Sequence, residues 1–322
     1  MKRFISQICF LLWPAAMATG ISCIARDNPF DPANRHALPA GEKTIVTSQD
    51  SLMARALSAR AGDTIALAAG TYVVSLRFGS SGTADLPIVL AGTDSTTVVR
   101  AQPGLGILYI SGQRSIRFSN IVFDSSYASG VKVENGSSDI DFSDCAFRDN
   151  ALDGLEITDS DVRAARCAFL NNGRNGVRIS GDATAGHTAA LDNVLSAHNA
   201  KEGIAVIATP ATVTQATVSD NDSCGISITT PAGAVSVTRS IIAYNAGAAV
   251  SGLWDSTVSQ VVFDSLDLFL NQQEITLAPA SAQQYWTYDP MFANRNACDY
   301  SIGPGSEVYL MEQQGIVIGY RK

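Results

Sequence analysis

The sequence predicts an all-β fold, a solenoid of short parallel strands. Three observations predict it. A column of small polar residues, Ser126, Asn150, Asn172, Asn199, Asn221, Asn245 and Asn271, recurs at spacings of 24, 22, 27, 22, 24 and 26, and a period in that range marks a solenoid. Glycine follows the column by four residues, at Gly130, Gly154, Gly176, Gly203 and Gly225, with Ala249 in the sixth coil. Apolar residues keep fixed offsets from it in pairs two apart, such as Ile116/Phe118, Ile121/Phe123 and Val131/Val133. Of the 36 positions given by six offsets on six coils, only Ser196, Ser240 and Gly252 are not apolar, in a chain that is 46% hydrophobic.

Apolar residues two apart read as strands with one buried face. Three such strands per coil make a three-sided coil that cannot bury its own face, whereas stacked coils share one core. Parallel stacking sets like residues on each other at roughly 4.8 Å. Asparagine amides stacked at a turn can then bond from coil to coil, so Asn150, Asn172, Asn199, Asn221, Asn245 and Asn271 are expected to form a structural ladder. The glycine column suits a tight turn at positive φ.

Phrases such as Ile140-Asp141-Phe142-Ser143-Asp144-Cys145-Ala146-Phe147-Arg148-Asp149-Asn150 resemble the right-handed parallel β-helix, the pectin-lyase-like fold. The handedness is what the resemblance implies; periodicity alone permits either hand.

At the amino end, Lys2 and Arg3 precede an apolar run from Ile8 to Met17, interrupted by Pro14. That is a signal peptide, too short for a membrane span. Thr19-Gly20-Ile21-Ser22-Cys23 resembles a bacterial lipobox, with Gly20 where leucine is commoner. The resemblance implies cleavage after residue 22 and lipid on Cys23. Residues 23–43, including Asn28-Pro29-Phe30-Asp31-Pro32, read as a flexible tether. Ile24 after the cysteine favours, by resemblance, the outer membrane of a Gram-negative cell envelope. Loss of Lys2 and Arg3 takes the formal charge from −8 to −10, which argues against nucleic acid and gives no general attraction to acidic polysaccharide.

Residues 44–322 read as one β-helix domain of about nine or ten coils, expected to be a monomer. A helical cap is expected over about 50–61, with Asp50 or Ser51 at its start, Leu52 and Ala56 inward, and Gly62 at its end. It would cover strand edges that would otherwise recruit another chain. Regular coils are expected over about 64–277. Residues 278–322 are expected to close the last coil, with Ile316-Val317-Ile318-Gly319 as the final strand.

Cys145 and Cys167 share an inward offset on adjacent coils and are read as stacked thiols rather than a bridge, although their expected separation allows one. Cys224 and Cys298 are not paired by the sequence. His187 and His198 fall in turns and are read as solvent-exposed. No Cys/His spacing resembles a zinc site, and no cofactor is evident.

The outward offset six after the column gives Lys132, Glu156 and Arg178 on successive coils. A lyase needs a base to take the proton beside a uronate carboxylate and a cation for the enolate; Lys132 and Arg178 are the nearest candidates, with calcium implied only in that case. A hydrolase needs two carboxyl groups about 5–10 Å apart, for which Asp153 and Glu156 are candidates. Asp153-Gly154 is similar to part of the Asn-Thr-Asp-Gly phrase of polygalacturonases, without its Asn-Thr. The same three charges also serve as a ladder stabilising an exposed sheet by about 0.2–1 kcal/mol per pair. Tyr127 and Trp254 are the candidates for stacking on a sugar. The leading expectation is a lipid-anchored envelope protein with a binding or structural role, possible toward a polysaccharide. The alternatives are a carbohydrate-active enzyme, lyase before hydrolase, and a surface adhesin or assembly component.

Overall fold

The computed structural model describes residues 41–94, 96–182, 186–229, 233–253, 261–276, 285–313 and 317–321. The signal peptide, Cys23, nearly all of the tether and Trp254 lie outside the described residues.

From Glu42 onward the chain is a parallel β-solenoid of about nine turns. Among the described residues it has three parallel sheets, of ten, ten and nine strands. A representative coil places Ser138–Ser143 in the first sheet, Ala146–Arg148 in the second and Leu155–Thr158 in the third. The next coil repeats this with Val162–Ala165, Ala168–Leu170 and Val177–Ser180, each in parallel register with the strand before it. The repeat positions therefore coincide in space: Phe142 pairs Phe118, and Phe147 pairs Phe123 and Phe169. Their rings stack at 4.8, 5.2 and 4.9 Å between centroids, while Phe118 and Phe142 meet Phe123 and Phe147 edge-on. All five rings are fully buried.

The asparagine column is one continuous hydrogen-bonded line. Nδ2 of Asn150, Asn172, Asn199, Asn221 and Asn245 donates to Oδ1 of the next asparagine at 2.8–2.9 Å. Each receiving Oδ1 also accepts the backbone N–H of the donor residue. The second amide hydrogen goes back one coil, as from Asn172 to Phe147 O at 3.1 Å. Each inner amide thus makes two donations and two acceptances while buried, which satisfies it fully.

The glycine column has a different cause from the one the sequence suggests. None of Gly130, Gly154, Gly176, Gly203 and Gly225 has positive φ. A Cβ on Gly154 would stand 2.7 Å from Gly176 O and 2.9 Å from Asn172 Nδ2. Glycine is needed because the next coil's backbone and amide ladder pass too close. The left-handed backbone falls on non-glycine residues instead. Six before the column stand Asn120, Asp144, Arg166, Asn193, Gln215, Arg239 and Ser265, at φ 51–56°. One before it stand Ser125, Asp149, Asn171, His198, Asp220, Tyr244 and Leu270, at φ 46–60°. These single residues turn the chain between sheets one and two, and between two and three.

Both ends differ from expectation. A strand at Lys43–Val46 already pairs with Thr64–Leu67, so the first sheet starts well before the regular coils expected from about residue 64. The cap helix is Gln49–Ser58, not 50–61, with Ser48 rather than Asp50 or Ser51 at its N-cap. It ends at Ala59, which is extended, because Asp63 Oδ2 takes the Arg60 N–H and pulls the chain toward the next strand. Leu52 and Ala56 are buried, and Leu57 is 61% exposed.

The carboxyl segment does not simply close the last coil. Tyr285–Trp286 adds a tenth strand to the second sheet. The chain then turns back as an antiparallel pair, Phe292–Asn294 with Asp299–Ile302, and a helix, Val308–Gln313. Val308, Met311 and Ile318 pack on Ile241 and Ala243, and Tyr300 packs on Leu195 and Ala197. These partners lie on the outer face of the second sheet. Val317 and Ile318 form no strand. The segment is a strap: Gly319 N bonds Arg239 O, Tyr320 N bonds Thr217 Oγ1, and Arg321 N and O bond the Asn193 amide.

Candidate functional site

On the third sheet, parallel register sets Tyr109, Lys132, Glu156, Arg178 and Ala205 in one outward row. The charges there are consumed by each other. Lys132 Nζ lies 3.0 Å from Glu134 Oε2 and 3.9 Å from Glu156 Oε1. Arg178 lies 3.7 Å from the same Oε1 and donates to Ser180 Oγ at 3.2 Å. The other oxygen of Glu156 accepts from Ser129 Oγ at 2.7 Å. The hydrogen bond to Glu134 raises the Lys132 pKa, so this amine stays protonated where a lyase base would have to be neutral.

Asp153 is fully buried. Its Oδ1 accepts both the backbone N–H and the side-chain amide of Asn175, at 3.0 and 2.9 Å, and burial raises its pKa. It belongs to a second, shorter polar line: Asn175 Oδ1 in turn accepts the Glu202 N–H at 3.2 Å. The carboxyl group offers substrate no surface. Tyr127 is 59% exposed at the corner between the second and third sheets, and its N–H donates to Leu105 O.

The four described cysteines are free thiols, Cys145 and Cys167 buried. His198 is not a solvent-exposed turn residue. Its Nε2 lies 3.0 Å from both Tyr300 Oη and Arg295 O. Tyr300 Oη donates to Asp220 at 2.8 Å, Arg295 pairs with Asp220 at 3.0 Å, and the Arg295 guanidinium sits 3.6 Å over the Tyr244 ring. This cluster fastens the strap. His187 lies 3.1 Å from Asp161.

A concave feature lies elsewhere, on the outer face of the second sheet where the strap ends. It is a cleft of about 460 Å³. Val122, Ala146, Ala168 and Leu195, one from each of four successive coils, line it as an apolar floor. Asn120, Asp144 and Arg166 line it from the left-handed turn column, Arg148 from the strand, and Cys298, Tyr320 and Arg321 from the strap. Three arginines thus face one lining carboxylate. Arg166 is held by a two-point contact to Asp144, with both bonds at 2.8 Å. Arg148 reaches Asp124 at 3.6 Å and Asp149 at 3.9 Å, and its buried Nε has no hydrogen-bond partner. Burial lowers the Arg321 pKa. Repeat reasoning did not find this site, because its arginines sit at three unrelated places: two before the asparagine column, six before it, and in the strap.

Among the described residues no group of three or more His, Cys, Asp or Glu is placed to hold a metal ion, and no helix is long and apolar enough to cross a membrane.

The family described as "Right handed beta helix region" matches residues 105–264. No curated protein sequence matches the chain. Among solved structures, the chain is similar to pectate lyase Pel9A, with a TM-score of 0.56 and 14% identity over 83% of this chain and 91% of that one. It is also similar to the periplasmic alginate epimerase AlgG, with a TM-score of 0.53 and 13% identity over 70% of this chain. It spans 60% of the epimerase's length. At such identities the likeness is one of fold.

Proposed function

We propose, from the premise that this chain is a right-handed parallel β-helix, that it binds an acidic polysaccharide without cleaving it, as a lipid-anchored protein of the cell envelope. The cleft on the second sheet carries the reading. Its floor of small and branched side chains suits the apolar face of a sugar ring. Around it stand Arg148, whose buried Nε has no hydrogen-bond partner, Arg166, whose Nε and Nη2 already hold Asp144, and Arg321; guanidinium groups are well suited to a carboxylate. The whole chain carries a formal −8 and repels an acidic polymer at long range, so recognition has to be local.

The third-sheet row supports binding over catalysis less directly. Glu156 holds both Lys132 and Arg178, Lys132 stays protonated, and Asp153 is buried. Each is explained by stacking. The lipid anchor rests on the Ser22-Cys23 phrase behind the signal-like run.

The test uses pectate and alginate, the polymers that name the two similar structures, titrated into the full chain by calorimetry. Saturable binding that falls at least tenfold in Arg148→Gln/Arg166→Gln is the expected result, with no new absorbance from unsaturated ends. Unsaturated product, lost in Lys132→Ala, would make the protein a lyase and overturn the reading.

A further inference from the structure

The strap gives the cleft a direction. The open floor runs along the solenoid axis from Val122 to Ala168, two steps of roughly 4.8 Å, about 10 Å in all, and ends at Leu195, which is buried under Tyr300. Toward the amino-terminal coils, the second sheet continues with Val98 and Arg100, paired to Val122 and Asp124, whereas among the described residues the strap's apolar clusters fall on Ala168, Leu170, Leu195, Ala197, Ile241 and Ala243. Toward the carboxyl-terminal coils the way is stopped. Tyr300 packs on Leu195 and Ala197, with Cys298 and Tyr320 against the same cluster. The stop is fastened at four points, through Asn193, Thr217, Arg239 and Asp220. Arg321 stands at the closed end, its backbone held on both sides by Asn193.

We propose that the cleft recognises the end of a polyuronate chain rather than its middle, with the chain's end against the strap beside Leu195 and the chain leaving over Val122, its carboxylates passing Arg166 and then Arg148. This rests on the acidic-polysaccharide reading above and deepens it. A polymer lying along the second sheet in mid-chain would have to pass through Tyr300 and Leu195. The open floor fits about two pyranose rings, and the volume lies within the range of ordinary ligand sites, about 300–1,000 Å³.

The experiment compares two defined oligouronates, of three and of twelve residues, by calorimetry on the full chain. End recognition predicts one protein per oligomer for both, with dissociation constants per chain within threefold. A second measurement loosens the stop. Asn193→Gly keeps the left-handed backbone and removes both ties to Arg321, and more than one protein should then load on the twelve-residue oligomer. Several wild-type proteins on one twelve-residue chain would overturn end recognition while leaving polysaccharide binding intact. No heat with either oligomer, nor with long polymer, would overturn both.

Discussion

At the scale of single residues, the column of amides is the most demanding feature. Asn199 donates to Asn221 and Phe169 O and accepts twice from Asn172. Asn199→Ala leaves those groups buried without partners, and we expect a loss of roughly 2–4 kcal/mol, seen in urea unfolding. The turn residues predict the opposite sign. Gln215 sits at φ 54°, a conformation costing a non-glycine residue about 1 kcal/mol. Gln215→Gly should therefore be neutral or slightly stabilising, whereas Gly154→Ala, with 2.7 Å to Gly176 O, should cost roughly 1–3 kcal/mol. A destabilised Gln215→Gly in the same unfolding assay would contradict the account of the turns. The sequence showed the asparagines because amides that stack must recur. It hid the left-handed residues, since Arg166, Gln215, Arg239 and Tyr244 have no preference for that backbone. Hydrogen bonds to the next coil impose it, as from Arg166 N to Asp192 O at 2.9 Å and Gln215 N to Thr238 O at 3.1 Å.

At the scale of elements, the strap carries a pH dependence. Asp267 lies fully buried beneath it, with Oδ1 accepting the Tyr288 N–H at 2.9 Å and Oδ2 without a hydrogen-bond partner. Burial pushes its pKa up to about 7, with Asp289 adding to the effect. An unfolded aspartate titrates near 3.9. Between about pH 4 and 7 the folded chain keeps a proton that the unfolded chain has released, so stability falls as pH rises through that window and levels off above it. Asp267→Asn preserves the bond to Tyr288 and removes the charge. Its melting temperature should fall less between pH 5 and 8 than the wild type's, and a fall of the same size would rule out Asp267 as the source. The strap itself was poorly legible. The repeat fades after Leu277, and nothing local in residues 285–321 encodes a return over the second sheet. Contacts such as Tyr300 to Leu195 join residues more than a hundred positions apart.

At the scale of the molecule, a repeat fixes architecture well and function poorly. Every coil reuses the same inward offsets, so the core, the three sheets and the stacked phenylalanines follow from the period. The outward offsets are free to vary, and a binding site there needs no pattern. The one outward row that did show, Lys132 with Glu156 and Arg178, was visible because it repeats, and its charges close on one another. The cleft combines Arg148 and Arg166 at different offsets with Arg321 from outside the repeat, and only the folded chain brings them together.

The central claim is that recognition lies at the second-sheet cleft and is local rather than a matter of net charge. The most direct measurement compares two charge-matched variants, Arg148→Glu and Lys132→Glu, for calorimetric binding to alginate at one salt concentration. Each replaces one positive charge with one negative charge in the same molecule, one at the cleft and one on the third-sheet row. The account predicts that Arg148→Glu weakens binding by at least tenfold while Lys132→Glu stays within twofold of wild type. Equal losses in the two, or full binding in Arg148→Glu, would contradict it.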